Sequence, residues 1–104
     1  MLRPESIAYI RSVAERFGAE KVFLFGSCLK VPEEEANDID LVVYGLEPIA
    51  HWDMIAEMAW PDELNGKLVD IIRAEDNQPI MIFASEGIPI YERGSKREIE
   101  TVSL

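Results

Sequence analysis

The sequence predicts an α/β fold in the broad (α+β) sense, a small mixed β-sheet with helices packed mainly on one face. Three observations carry this reading. Short apolar runs rich in β-formers stand at residues 21–25, 38–44 and 67–73. Segments with helical periodicity precede or separate them. Glycine, proline or Asn65-Gly66 punctuates the boundaries, as turns require.

The first helix is the clearest element. Pro4 suits an early helical position, and Ile7, Ile10, Val13, Ala14 and Phe17 recur at spacings of three and four. Gly18 supplies a left-handed stop. Residues 21–25 lack alternation and read as a strand buried on both faces. Residues 28–37 form a loop, with room for a helical turn, and residues 38–44 form a second strand closed by Gly45. A second helix is expected over residues 48–60, burying Ile49, Trp52, Ile55, Ala56 and Ala59, with Pro61 ending it. Residues 67–73 make a third strand interrupted by Asp70. A short helix over residues 78–86, stopped by Gly87, and a last strand over residues 88–91 complete the pattern. Residues 94–104 are polar and read as a frayed tail.

Composition narrows the function. The chain has 104 residues, enough for one core. Twenty Asp and Glu oppose ten Lys and Arg, for a net charge of −10. A protein that grips DNA or RNA relies on clustered basic side chains, and here the longest such cluster is Lys96-Arg97. Direct nucleic-acid binding is therefore not expected; a basic protein partner is the alternative to plain solubility. No stretch approaches the roughly 20 apolar residues of a membrane span, and the first residues lack the apolar core of a secretory signal. A single cysteine, Cys28, excludes an intrachain disulfide and fits a cytoplasmic location. No histidine accompanies it in a dyad, so an inert thiol is expected. His51, the only histidine, reads as a surface or packing residue of the second helix.

The chemistry concentrates in residues 26–40. Gly26-Ser27 closes the first strand, and after ten intervening residues Asp38-Ile39-Asp40 opens the second. On a strand, Asp38 and Asp40 point to one face, their Cα atoms about 6.5–7 Å apart. Two such carboxylates suit divalent cations, and a Gly-Ser turn beside them offers backbone N–H groups and a hydroxyl to a phosphate. Asp70 adds a third carboxylate in an otherwise apolar strand, where an unpaired charge is costly. It can help hold a metal and accept the proton of an attacking hydroxyl.

With Gly26-Ser27, Asp38-x-Asp40 before Leu41, Asp70 in a Val-Asp-Ile strand and the segment at residues 85–92, the chain resembles the minimal nucleotidyltransferases of the DNA-polymerase-β-like superfamily. The resemblance implies a polymerase-β-like palm over residues 1–93, with residues 94–104 as a flexible tail. It implies AMP transfer from ATP to a hydroxyl, with two magnesium ions about 3.5–4 Å apart. Asp38 and Asp40 would ligate both ions, and Asp70 would bind the ion beside the nucleophile and serve as base. Gly26 and Ser27 would bind the triphosphate, with Lys30 nearest the place where family members often carry an arginine. Minimal members commonly act as antitoxins that adenylylate a tyrosine of a HEPN-domain toxin, which would be the partner here, in a homodimer or hetero-oligomer. A binding-only antitoxin and a small-molecule nucleotidyltransferase are the alternatives. Glu33, Glu34 and Glu35 read as a solvated surface turn; folded inward, they would oppose a triphosphate.

Overall fold

The structure, a computed structural model, describes residues 1–76 and 87–93. The expected helix over residues 78–86 and the tail over residues 94–104 lie outside the described residues. The first helix, α1 (Pro4–Arg16), has Pro4 in its first turn and buries Ile10, Val13 and Ala14. Phe17 caps it, and Gly18 follows at φ 81°, so the left-handed stop is where the sequence placed it.

Four strands form one mixed sheet in the order β3-β2-β1-β4, comprising β1 (Lys21–Phe25), β2 (Asp38–Tyr44), β3 (Leu68–Arg73) and β4 (Ile88–Glu92). β1 pairs antiparallel with both β2 and β4, whereas β2 and β3 run parallel. A parallel pair needs a crossover, and α2 (Pro48–Glu57) supplies it. In β4 the register slips at Val22/Phe23, leaving Ile90 as an extra residue between Tyr91 and Pro89. That bulge lets the successive residues Ile90 and Tyr91 both be buried.

Alternation divides the sheet into two faces. Val22, Leu24, Ile39, Leu41, Val43, Val69 and Ile71 join α1 and α2 in one hydrophobic core. Phe23, Phe25, Asp38, Asp40, Tyr44, Asp70 and Ile72 occupy the other face by strand parity. β1 is therefore not buried on both faces, since Phe23 and Phe25 are only half-buried and Lys21 is exposed. On that face Val42 is buried beside the aromatic rings of Phe23 and Tyr44, which lie 5.5 Å apart.

The second helix departs from expectation in phase and length. Met54 and Met58 reach the core, Ala50 and Ile55 pack partly against it, and Ile49 and Trp52 stand 77% and 71% exposed. Ala56 and Ala59 are also exposed. Apolar side chains surround nearly the whole helix, so its periodicity did not fix which stripe turns inward; the i, i+4 pair of flexible methionines does. The helix stops at Glu57, three residues early, and Trp60 then adopts φ 46°. His51 does pack, its Nε2–H donating to the Ile71 carbonyl of β3 at 2.8 Å. Among the described residues no helix is long and apolar enough to cross a membrane.

Candidate active site

The sheet places its three central carboxylates on one face. Asp38 and Asp40 stand two apart at the start of β2, and the parallel register sets Asp40 directly beside Asp70. On the other side Asp40 pairs with Phe25, the residue just before Gly26. β2 thus joins the Gly-Ser turn to Asp70, with Asp40 at the centre.

Gly26 has φ 79°, a conformation that an L side chain adopts only under strain. A Cβ there would also lie 2.3 Å from Asp40 Oδ2. Glycine is therefore required twice, once by the backbone and once by the carboxylate pressed against it. Residues Gly26–Leu29 then make a 3₁₀ turn, with Ser27 exposed and its carbonyl accepting from the amides of Lys30 and Val31. The Ser27 hydroxyl has no hydrogen-bond partner among the described residues. Cys28 is fully buried, its thiol 3.4 Å from the Asp38 carbonyl. Burial raises its pKa, which leaves an inert thiol that fixes the turn against β2. Lys30 is exposed at the end of the turn.

Electrostatics mark Asp40 in particular. Partial desolvation raises its pKa first, and the charges of Asp38 and Asp70 raise it further. No Lys or Arg forms an ion pair with any of the three among the described residues. A face that gathers negative charge without a protein cation is suited to one from solution. The described residues hold no group of three carboxylate, imidazole or thiol side chains close enough to cage a metal unaided. Magnesium does not need such a cage: it ordinarily takes one or two carboxylates and completes its shell with water and substrate phosphates. The paired hard oxygens of Asp38 and Asp40 fit that donor chemistry.

The acidic loop behaves differently from the solvated turn expected of it. Glu34 and Glu35 are exposed, but the Glu33 side chain is fully buried. The Arg3 amide donates to its Oε1 at 2.9 Å, Asn65 Nδ2 donates to Oε2 at 2.8 Å, and Arg3 Nε lies 3.4 Å away. Glu33 therefore turns toward the start of α1 and the segment leading into β3. Burial pushes its pKa up, but the Arg3 amide, the Ser6 and Asn65 side chains and the Arg3 charge outweigh that and hold it below the usual carboxylate range.

Two neighbours of the site carried no sequence signal. The Phe25 ring lies against Gly87, where a Cβ would stand 2.7 Å from it. Lys67 Nζ donates to the Ala36 carbonyl at 2.7 Å, tying the loop before Asp38 to the residue preceding β3.

Residues 9–96 match the family model described as polymerase beta, nucleotidyltransferase. No curated protein matches the chain. Among solved structures, the chain is similar to a tri-AMPylated Shewanella oneidensis HEPN toxin in complex with MNT antitoxin, at TM-score 0.61 and 19% identity over 94% of this chain and 82% of that one. It is similar to the toxin–antitoxin MntA-HepT at TM-score 0.62 and 18% identity, covering 97% of this chain and 82% of the other. A toxin–antitoxin structure with AMP-PNP gives TM-score 0.60 and 19% identity, with 97% and 83% covered. At these identities the likeness is one of fold. The family model spans most of the chain and takes in the Gly-Ser turn and all three carboxylates, so this chain belongs to the polymerase-β nucleotidyltransferase family.

Proposed function

We propose that the chain is a minimal nucleotidyltransferase that moves AMP from ATP to a hydroxyl, a tyrosine of a HEPN-type toxin, and so acts as its antitoxin. The observation that carries this reading is the adjacency of Asp40 to Asp70 across the parallel pair, with Gly26 against the Asp40 carboxylate. Family membership supplies the reaction class. The toxin and the transferred AMP are suggested by the complexes of similar fold, one of which holds an AMPylated toxin.

In this reading Gly26 and Ser27 hold the triphosphate, with Lys30 adding a point charge near it. Asp38 and Asp40 would hold magnesium, joined by Asp70. When bound, magnesium would neutralise negative charge on the phosphates and on the attacking oxygen. Asp70 accepts the proton of the acceptor hydroxyl as its oxygen bonds to the α-phosphorus, and pyrophosphate leaves. Glu33 is buried and engaged by Arg3 and Asn65, so one of the three negative charges expected to oppose a nucleotide is already paired within the chain.

Intact mass of the cognate HEPN-domain protein, after incubation with the chain, ATP and magnesium, tests the proposal. Added AMP that disappears with Asp70→Asn is expected. A wild-type chain that neutralises the toxin without adding AMP would overturn the catalytic assignment in favour of a binding-only antitoxin.

A further inference from the structure

The outward side of α2 carries an apolar stripe that neither the core nor the carboxylate face uses. Ile49, Trp52 and Ala56 recur at three and four residues, so they share one side of the helix. Met54 and Met58 already fill the side that meets the sheet. Trp60, 63% exposed, follows the helix in a left-handed conformation that a bulky side chain adopts at a cost. Tryptophan left in water forgoes its large burial gain, and it is among the residues most enriched at the centres of protein interfaces.

The charge of the segment that carries the stripe indicates what would cover it. Residues 47–63 contain five carboxylates, Glu47, Asp53, Glu57, Asp62 and Glu63, and no Lys or Arg. Glu57 pairs with Arg16; the other four are exposed and form no ion pair among the described residues. A second copy of the chain is a poor occupant, because a two-fold contact would set this acidic segment against itself in a molecule of net charge −10. We propose that the outer face of α2 docks a protein partner whose apolar groove is rimmed by Lys and Arg. This rests on the reading above that the chain has a protein partner, and adds where the partner is held. α2 covers the sheet face opposite Asp38, Asp40 and Asp70, so holding the partner and modifying it are separable functions. A partner held here reaches the carboxylates only by a segment that extends around the sheet, or through a second partner subunit.

The test titrates the full chain with the cognate HEPN-domain protein by calorimetry, at low and high ionic strength. Trp52→Glu and Ile49→Asp each change an exposed side chain, and retention of the magnesium-ATP melting shift checks that they fold. Binding at least about 30-fold weaker is expected for Trp52→Glu. Asp53→Asn combined with Asp62→Asn and Glu63→Gln should weaken binding and flatten its salt dependence. Affinity of both apolar variants within about threefold of wild type overturns the surface. A wild-type dimer that Trp52→Glu dissolves assigns the face to a second copy, and a Trp52 that becomes more quenchable when residues 94–104 are removed assigns it to the chain's own tail; either result overturns the proposal. No binding by the wild type defeats the partner reading as well. Binding that survives both apolar variants while Asp70→Asn still abolishes AMP transfer defeats the surface alone.

Discussion

Glu33 and Asp40 are seven positions apart, and their surroundings act on them in opposite directions. Glu33 is fully buried, yet donors from Arg3 and Asn65 hold its pKa low. Asp40 is only half-buried, yet desolvation and two like charges raise its pKa. Depth alone does not decide which way a carboxylate's pKa moves; the neighbours do. Glu33 has its hydrogen-bond partners within the chain, whereas the Asp40 carboxylate has neither a hydrogen bond nor an ion pair among the described residues; in the proposed function a cation from outside would fill that place. A group destabilised in the folded protein by like charges is a candidate site with a stated physical reason.

Asp70→Asn should widen the contrast most. It keeps the shape and removes the charge, so AMP transfer should fall by about 10²–10⁴-fold, the usual cost of losing a general base. Intact-mass time courses measure this, and a loss of less than about tenfold would assign the base elsewhere. Glu33→Ala should leave the carboxylate face in place but strip partners from the Arg3 amide and Asn65. A cost of about 1–3 kcal/mol in urea unfolding is expected from the charge-assisted hydrogen bonds it removes, since Arg3 and Asn65 keep access to water. Gly26→Ala combines an unfavourable φ with a Cβ pressed on Asp40, and about 1–2 kcal/mol should be lost. ATP affinity should fall with it, because Asp40 must move.

The pH dependence separates the two carboxylates by sign. Glu33 has a lowered folded pKa, so its stabilisation is present above its unfolded pKa and is lost as pH falls through the folded value. Glu33→Gln should therefore be less stable than wild type at neutral pH, with the deficit shrinking in acid. Asp40 has a raised folded pKa, so its ionised form weakens the fold, and protonation restores stability as pH falls through the folded value. Asp40→Asn without metal should be slightly more stable than wild type at neutral pH, with that advantage shrinking in acid. Urea unfolding at neutral pH and near pH 3 would measure both, and differences of the same sign would break the comparison. The smallest effect is expected from Glu34→Gln with Glu35→Gln. Both side chains are exposed, so ATP affinity should change by less than about threefold even at low salt.

Much of this was legible in the sequence. Period two placed Asp38 and Asp40 on one face, and the apolar strands with their glycine stops gave β1, β2 and β3 within a residue. The pairing of Asp40 with Asp70 was not legible, because it depends on the register between β2 and β3 rather than on any local pattern. Glu33 was misread for a related reason: a run of three glutamates looks solvated when the partners of one lie at residues 3 and 65. The phase of α2 was ambiguous because apolar side chains ring the helix, and only packing decided that Met54 and Met58 turn inward while Trp52 turns out.

The central claim, that the carboxylate face receives a metal–nucleotide complex, is tested most directly by thermal unfolding with and without magnesium-ATP. Wild type should gain Tm when both are present, since a ligand of the folded state stabilises it. Asp38→Asn with Asp40→Asn should lose that gain while remaining folded, and without ligand should melt no lower than wild type, since two repelling charges are gone. An equal magnesium-ATP shift in the double variant would contradict the assignment of the face.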